Sequence, residues 1–253
     1  MPPIRSWRFT ALEFRTLWEV TGRDVLPYPL RQESTEPDSD AARSRRQAAE
    51  NLAPQLDSEL EHAVRVLLAP QARVEVAGFA DRTRTAGAHG AVLDRFAALA
   101  VQQPGPDGTG GEVALSLLAA DDLAEAALGA LPRREAGTGA PIAVTATELD
   151  EPRPPTRDPW RPTSREQFEQ FFTRPMDAIH HLAVYPYGSI DNRHTEGRDD
   201  FQLHDVTDDG RYVVYGSRTI TVKPAAPHRV AKTLSAIITE TVTATRDGTY
   251  LPH

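Results

Sequence analysis

Two helix starts 106 residues apart constrain this chain more than any other feature. Ser58 to Glu61 and Ser164 to Gln167 each have the form of a capping box, in which a hydroxyl accepts the backbone NH three residues on while a carboxylate or amide reaches back. The first predicts a short helix with Leu60, Val64, Leu67 and Leu68 on one face, ended by Pro70; the second predicts a helix ending near Pro175. Strands are expected after each, at 73–79, 91–101 and 112–118 in the first case and at 178–187, 201–206, 211–215 and 219–223 in the second. "DDGR" at 208–211 marks a tight hairpin. Each set then meets an alanine pair, Ala119-Ala120 or Ala225-Ala226, that leads into a helix. Any one match is weak in an Ala-rich chain. The common offset in a common order points to a duplicated unit, with halves 56–131 and 164–243 joined by the proline-rich connector 151–162 inside one domain, 1–253. Two such units pool their strands into one central antiparallel sheet with helices packed around it, an α+β fold.

Composition excludes several functions. At 253 residues the chain buries a sizeable core. Its net charge of -8 and the lack of a basic cluster argue against nucleic acid or an anionic membrane as partner. The arginines at 43–46 read as the solvated face of a helix. With no cysteine there are no disulfides, thiolate metal sites or thiol nucleophile, which fits a reducing cytosol. The N-terminal residues lack the apolar run of a signal peptide and no window approaches a membrane span, so a cytoplasmic location is expected.

Candidates for chemistry each have a plainer reading. His180 and His181 are neighbours on an expected strand, so their rings point to opposite faces and cannot share a metal. The acidic stretch 191–209 has oxygen ligands but lacks the spacing of a calcium loop and reads as a solvated connection. "GPDGTGG" at 105–111 lies between strands rather than before a helix, so it reads as a hairpin loop and not a phosphate cradle. No Gly-x-Ser-x-Gly elbow or His-Glu-x-x-His occurs. Hence no enzyme, no metal and no cofactor is expected.

The first helix is well specified. Thr10 and Glu13 form a capping box, Phe9 and Phe14 a hydrophobic staple, and Phe14, Leu17, Trp18 and Thr21 one stripe that Gly22 stops. After it comes Leu26-Pro27-Tyr28-Pro29-Leu30, too apolar for a free tail and stiffened by two prolines. This is a ribbon that must lie on something.

"FTALEFRTLWEVTGRDVLPYPLR", residues 9–31, resembles the N-terminal signature of the EspG family of type VII (ESX) secretion chaperones, and "DGRYVVYGSRTITVKPAAPHRVAKTL" resembles the family's closing strands and helix. Thr10, Glu13, Phe14, Leu17, Trp18, Pro27, Tyr28 and Pro29 carry the first match. The resemblance implies a central antiparallel sheet flanked by two helical bundles with quasi-twofold symmetry, and a ribbon crossing from the first helix to the second bundle. It implies a cytosolic chaperone that covers the hydrophobic tip of a helical client, the PPE subunit of a PE–PPE pair, and keeps it soluble for secretion. Client contacts would come from a loop at 81–89 (Asp81, Arg82, Thr83, Arg84) and from the C-terminal helix (Arg229, Lys232, Thr233). Two alternatives stand beside it: an EspG-like protein binding another helical, WxG-type client, and a metal-dependent hydrolase using the acidic stretch. Self-association is left open.

Overall fold

The structure, a computed structural model, describes residues 2–33, 38–105, 109–152, 162–188 and 197–250. Ten antiparallel strands form one sheet: β1 (Arg5–Phe9), β2 (Ala72–Ala80), β3 (Thr83–Leu93), β4 (Phe96–Gln102), β5 (Val113–Ala119), β6 (Ile142–Thr145), β7 (Met176–Pro186), β8 (Asp199–Val206), β9 (Gly210–Tyr215) and β10 (Thr219–Pro224). Their order across the sheet is β1-β5-β4-β3-β2-β7-β8-β9-β10-β6. The helices are α1 (Ala11–Val20), α2 (Asp38–Leu52), α3 (Ser58–Leu68), α4 (Leu123–Gly129), α5 (Ala146–Asp150), α6 (Ser164–Thr173) and α7 (Pro227–Arg246).

The two halves meet at β2 and β7, where Val76 pairs with Leu182, the residue 106 positions on. From that pair outward each half runs through three more strands to a short edge strand, β1 or β6. Each edge strand leads into a Thr–Glu capping box, Thr10 with Glu13 and Thr145 with Glu148. α4 and α7 cover one face through Leu123, Ala127, Val230, Leu234 and Ile238. On the other face α1 and α3 pack over β1, β4 and β5, and α6 packs over β8 to β10 through Phe171.

Several expectations move. The helix caps sit one residue earlier than the serine signatures: Asp57 accepts from Leu60 N at 2.7 Å, and Thr163 forms its box with Glu166. A carboxylate at the third helical position outcompetes the Gln167 amide, and the 106-residue spacing is retained. The expected strand 91–101 is the end of β3, a turn at Asp94 (φ 56°) and β4. The expected loop 81–89 is a two-residue turn followed by β3. Its alanines and glycines show no apolar alternation, and pairing with β2 and β4 on either side holds it extended. The connector residues 153–161 and the stretch 191–196 lie outside the described residues.

The ribbon stays on its own half rather than reaching the second bundle. Leu26 and Leu30 are buried with Phe14 and Trp18. His89 Nδ1 lies 2.8 Å from the Tyr28 carbonyl, and so donates to it. Gln102 clamps the end of the ribbon, its Oε1 accepting from Arg31 N at 2.9 Å and its Nε2 donating to Arg31 O at 2.7 Å. The strap thus lies across β3 and β4.

Candidate functional site

α7 is a 20-residue helix that begins with Pro227 at a position where a missing NH costs nothing. Val230, Leu234, Ile238, Thr241, Val242 and Thr245 form its buried stripe, spaced three and four residues apart. Beside its first turns an open groove of about 1150 Å³ runs along β8, β9 and β10. Its floor includes Phe201 and Val213, and Arg229, Lys232 and Thr233 line it from the exposed side of α7. Tyr215 also lines it and is 39% exposed, high for a large side chain, while Phe172, 41% exposed, belongs to α6 on the opposite face of the sheet, against His204. Lys223 sits 4.8 Å over the Tyr215 ring and donates to its hydroxyl at 3.2 Å. At the far end of the groove Arg198 pairs with Asp200 at 2.9 Å. An apolar floor with an exposed aromatic and a charged rim suits an apolar surface of another macromolecule.

Of the residues singled out by resemblance, the structure brings Arg229, Lys232 and Thr233 to this groove and leaves the other four elsewhere. Asp81 and Arg82 are the turn itself, with φ of 45° and 65°, and Thr83 opens β3. Two strands, β2 and β7, separate β3 from β8. Arg84 is engaged with the strap: Nη1 donates to the Pro29 carbonyl, and its guanidinium lies 5.4 Å from the Tyr28 ring and 5.6 Å from that of Phe79. Phe172, Tyr215 and Lys223 were missed. Phe168, Phe171 and Phe172 lie at i, i+3 and i+4 and share one face of their helix, so the spacing gives no sign that Phe172 would stand exposed. Tyr215 carries no mark either, because its exposure depends on where α7 stops covering the sheet.

The histidine pair divides as its strand position requires. His180 is fully buried and His181 exposed. His180 Nε2 lies 3.1 Å from Asp205, which also accepts from Arg211 at 2.6 and 2.8 Å. Burial pushes the Asp205 carboxyl up, but the hydrogen bonds from Arg211 and His180 outweigh it and hold the group at about 2. Arg211 also donates to the Pro132 carbonyl, so the trio anchors the chain between the halves. On the other face burial, with His181 nearby, lowers His204 to about 4. Among the described residues no group of acidic and histidine side chains could hold a metal ion, and no helix is long and apolar enough to cross a membrane.

Residues 10–236 match the model of the EspG family. No curated protein matches the chain in sequence. Among solved structures, its fold is similar to that of the type VII secretion system chaperone EspG5 of Mycobacterium tuberculosis, determined in complex with the PE25–PPE41 dimer. That likeness covers 98% of each chain with a TM-score of 0.56 at 12% identity, a likeness of fold.

Proposed function

The chain belongs to the EspG family, and on that premise we propose that it is a cytosolic chaperone of type VII secretion that binds a helical, PPE-like client rather than an enzyme. The supporting observation is the groove beside α7, where Tyr215 stands exposed over the apolar floor of Phe201 and Val213. A client's apolar helix tip is an aggregation hazard when free, and covering it removes that surface from water. Arg229, Lys232 and Thr233 then set orientation from the rim, where charges act more on association and specificity than on affinity. The solved complex of the similar EspG5 with a PE–PPE dimer favours this client class over a WxG-type one.

The experiment is co-expression with PPE-like proteins, with their PE partners, from the same genome, followed by size-exclusion chromatography. One-to-one co-elution with one pair is expected, with salt slowing association more than it weakens the formed complex. Tyr215→Ala is expected to cost about 2 kcal/mol of binding as an exposed aromatic anchor. If no pair co-elutes while the purified protein turns over a phosphoester or peptide, the chaperone reading is wrong.

A further inference from the structure

The strap leaves two arginines side by side, with no carboxylate paired to either among the described residues. Arg31, at its end, and Arg84, near the start of β3, line a pocket of about 50 Å³ whose other walls include Thr83, Gly87, Gln102 and Gly110. The backbone around it is closely built: a Cβ on Gly110, which has φ of +86°, would lie 2.2 Å from the Arg31 carbonyl. Gln102 has its amide committed to both sides of Arg31, which fixes where that side chain starts. The Gln102 amide therefore offers the pocket little more.

Neither guanidinium has a carboxylate partner among the described residues. Arg84 uses only Nη1, toward the Pro29 carbonyl, and its buried Nε has no partner. Burial first, and then the charge of Arg31, lower the Arg84 pKa. A partly desolvated cation beside a second cation, with a donor unused, is costly unless an anion joins them.

We propose that the Arg31–Arg84 pocket binds a single small oxyanion. Arginine forks match the paired oxygens of carboxylate, phosphate and sulfate. The volume decides the size: at about 10–15 Å³ per water-sized site, 50 Å³ holds one oxyanion and no nucleotide. The site lies two strands away from the α7 groove, so its failure would leave the client reading untouched, and the reverse holds too.

The test is titration calorimetry of the full chain with inorganic phosphate at constant ionic strength, paired with thermal unfolding. Saturable one-to-one binding and a rise in Tm are expected for the wild type, with both lost in Arg84→Gln. Arg31→Gln guards against a folding defect, because the backbone of Arg31, and not its side chain, holds the strap; it should unfold normally and bind at least tenfold more weakly. Acetate separates the anion classes. Competition with phosphate shows that a carboxylate also fits the pocket, and no competition restricts it to tetrahedral oxyanions. Absence of saturable phosphate binding, or binding unchanged in both variants, overturns the proposal.

Discussion

Matched strand by strand from the Val76–Leu182 pair, the two halves place Val74 on His180, Val92 on Asp205 and Ala97 on Arg211. The same three positions of one frame are apolar in the first half and an ion network in the second. The covering differs as well. In the first half both faces are buried, and β2 is buried without a break from Ala72 to Gly78. β4 sends Ala97 and Leu99 to one core and Ala98 and Ala100 to the other. In the second half β10 is mostly uncovered, the α6 core is small, and a groove remains open. A sheet covered on both faces is a scaffold, whereas a half-covered one keeps apolar surface for a partner. Arg211 shows why the second half carries charge at its centre: it must also hold the inter-half chain at Pro132, a task absent from the first half. We propose that the halves derive from one duplicated unit that has since diverged in this way. If matched core positions across the family prove no more alike than chance pairs, that origin is wrong.

The scaffold half should respond most strongly to lost volume. Trp18 is 5% exposed, stacks on Phe14 at 6.4 Å and donates to the Val25 carbonyl at 2.8 Å. Trp18→Ala is expected to cost about 3–5 kcal/mol in urea unfolding, through the cavity and the freed strap. A loss below about 1 kcal/mol would mean that the first half is not the rigid partner in this comparison.

Acid should weaken the two halves through one histidine each. Burial lowers His89, under the strap, and His204, beside α6, to about 4. Both are bases with depressed folded values, so the unfolded chain takes up the proton first. Stability is therefore full above the ordinary 6.5 and falls as the pH drops toward 4, by about 3 kcal/mol per histidine. His89→Asn, whose Nδ2 stands where Nδ1 does and can still donate to the Tyr28 carbonyl, should flatten that slope as read by tryptophan fluorescence. An unchanged slope would place the acid sensitivity elsewhere.

What could be read from the sequence followed local chemistry. The Thr10–Glu13 box, the helix starts near 58 and 164, the Gly22 stop, the α7 stripe and the last three strands depend on neighbours within a few residues, and all appear within about two residues of expectation, though the helix at 58 begins on a lone Asp57 cap rather than a box. β1, β6 and most of β3 depend on partners far along the chain: β1 is extended because β5 pairs with it, and β3 because β2 and β4 flank it. The groove was half legible. The polar face of α7 follows from its periodicity, but the exposure of Tyr215 follows from the sheet's width beyond α7, which no local pattern encodes.

The ion network offers a smaller test of the same contrast. Asp205→Asn keeps the shape but removes the charge that Arg211 and His180 bond, and is expected to cost about 1.5–3 kcal/mol at pH 7. The sign with pH is definite. The Asp205 carboxyl is depressed to about 2, so its stabilisation is complete above about 3.9 and disappears as the pH falls toward 2. Wild type and Asp205→Asn should therefore converge in stability below that window. Their matched positions Val74, Val92 and Ala97 do not titrate, so no such limb should arise from the first half. Persistence of the full difference at pH 2 would show that packing, not charge, distinguishes the two centres.

The smallest effect on stability should come from the groove rim, where the largest effect on binding is expected. Arg229 and Lys232 are exposed on α7, line the groove, and belong to no ion pair among the described residues. Replacing both with Glu leaves the buried stripe of Val230, Leu234 and Ile238 intact, so the change in folding should stay within about 0.5 kcal/mol. Two added acids in the first two turns also lie toward the positive end of the helix dipole, which offsets part of any lost solvation benefit. Client association, by contrast, requires the rim to match the client's polar collar, and four units of reversed charge at that edge should slow it markedly. Near-wild-type melting together with lost co-elution would assign recognition to the open half. Loss of both would mean that α7 is held by those side chains, and that the second half is as much scaffold as the first.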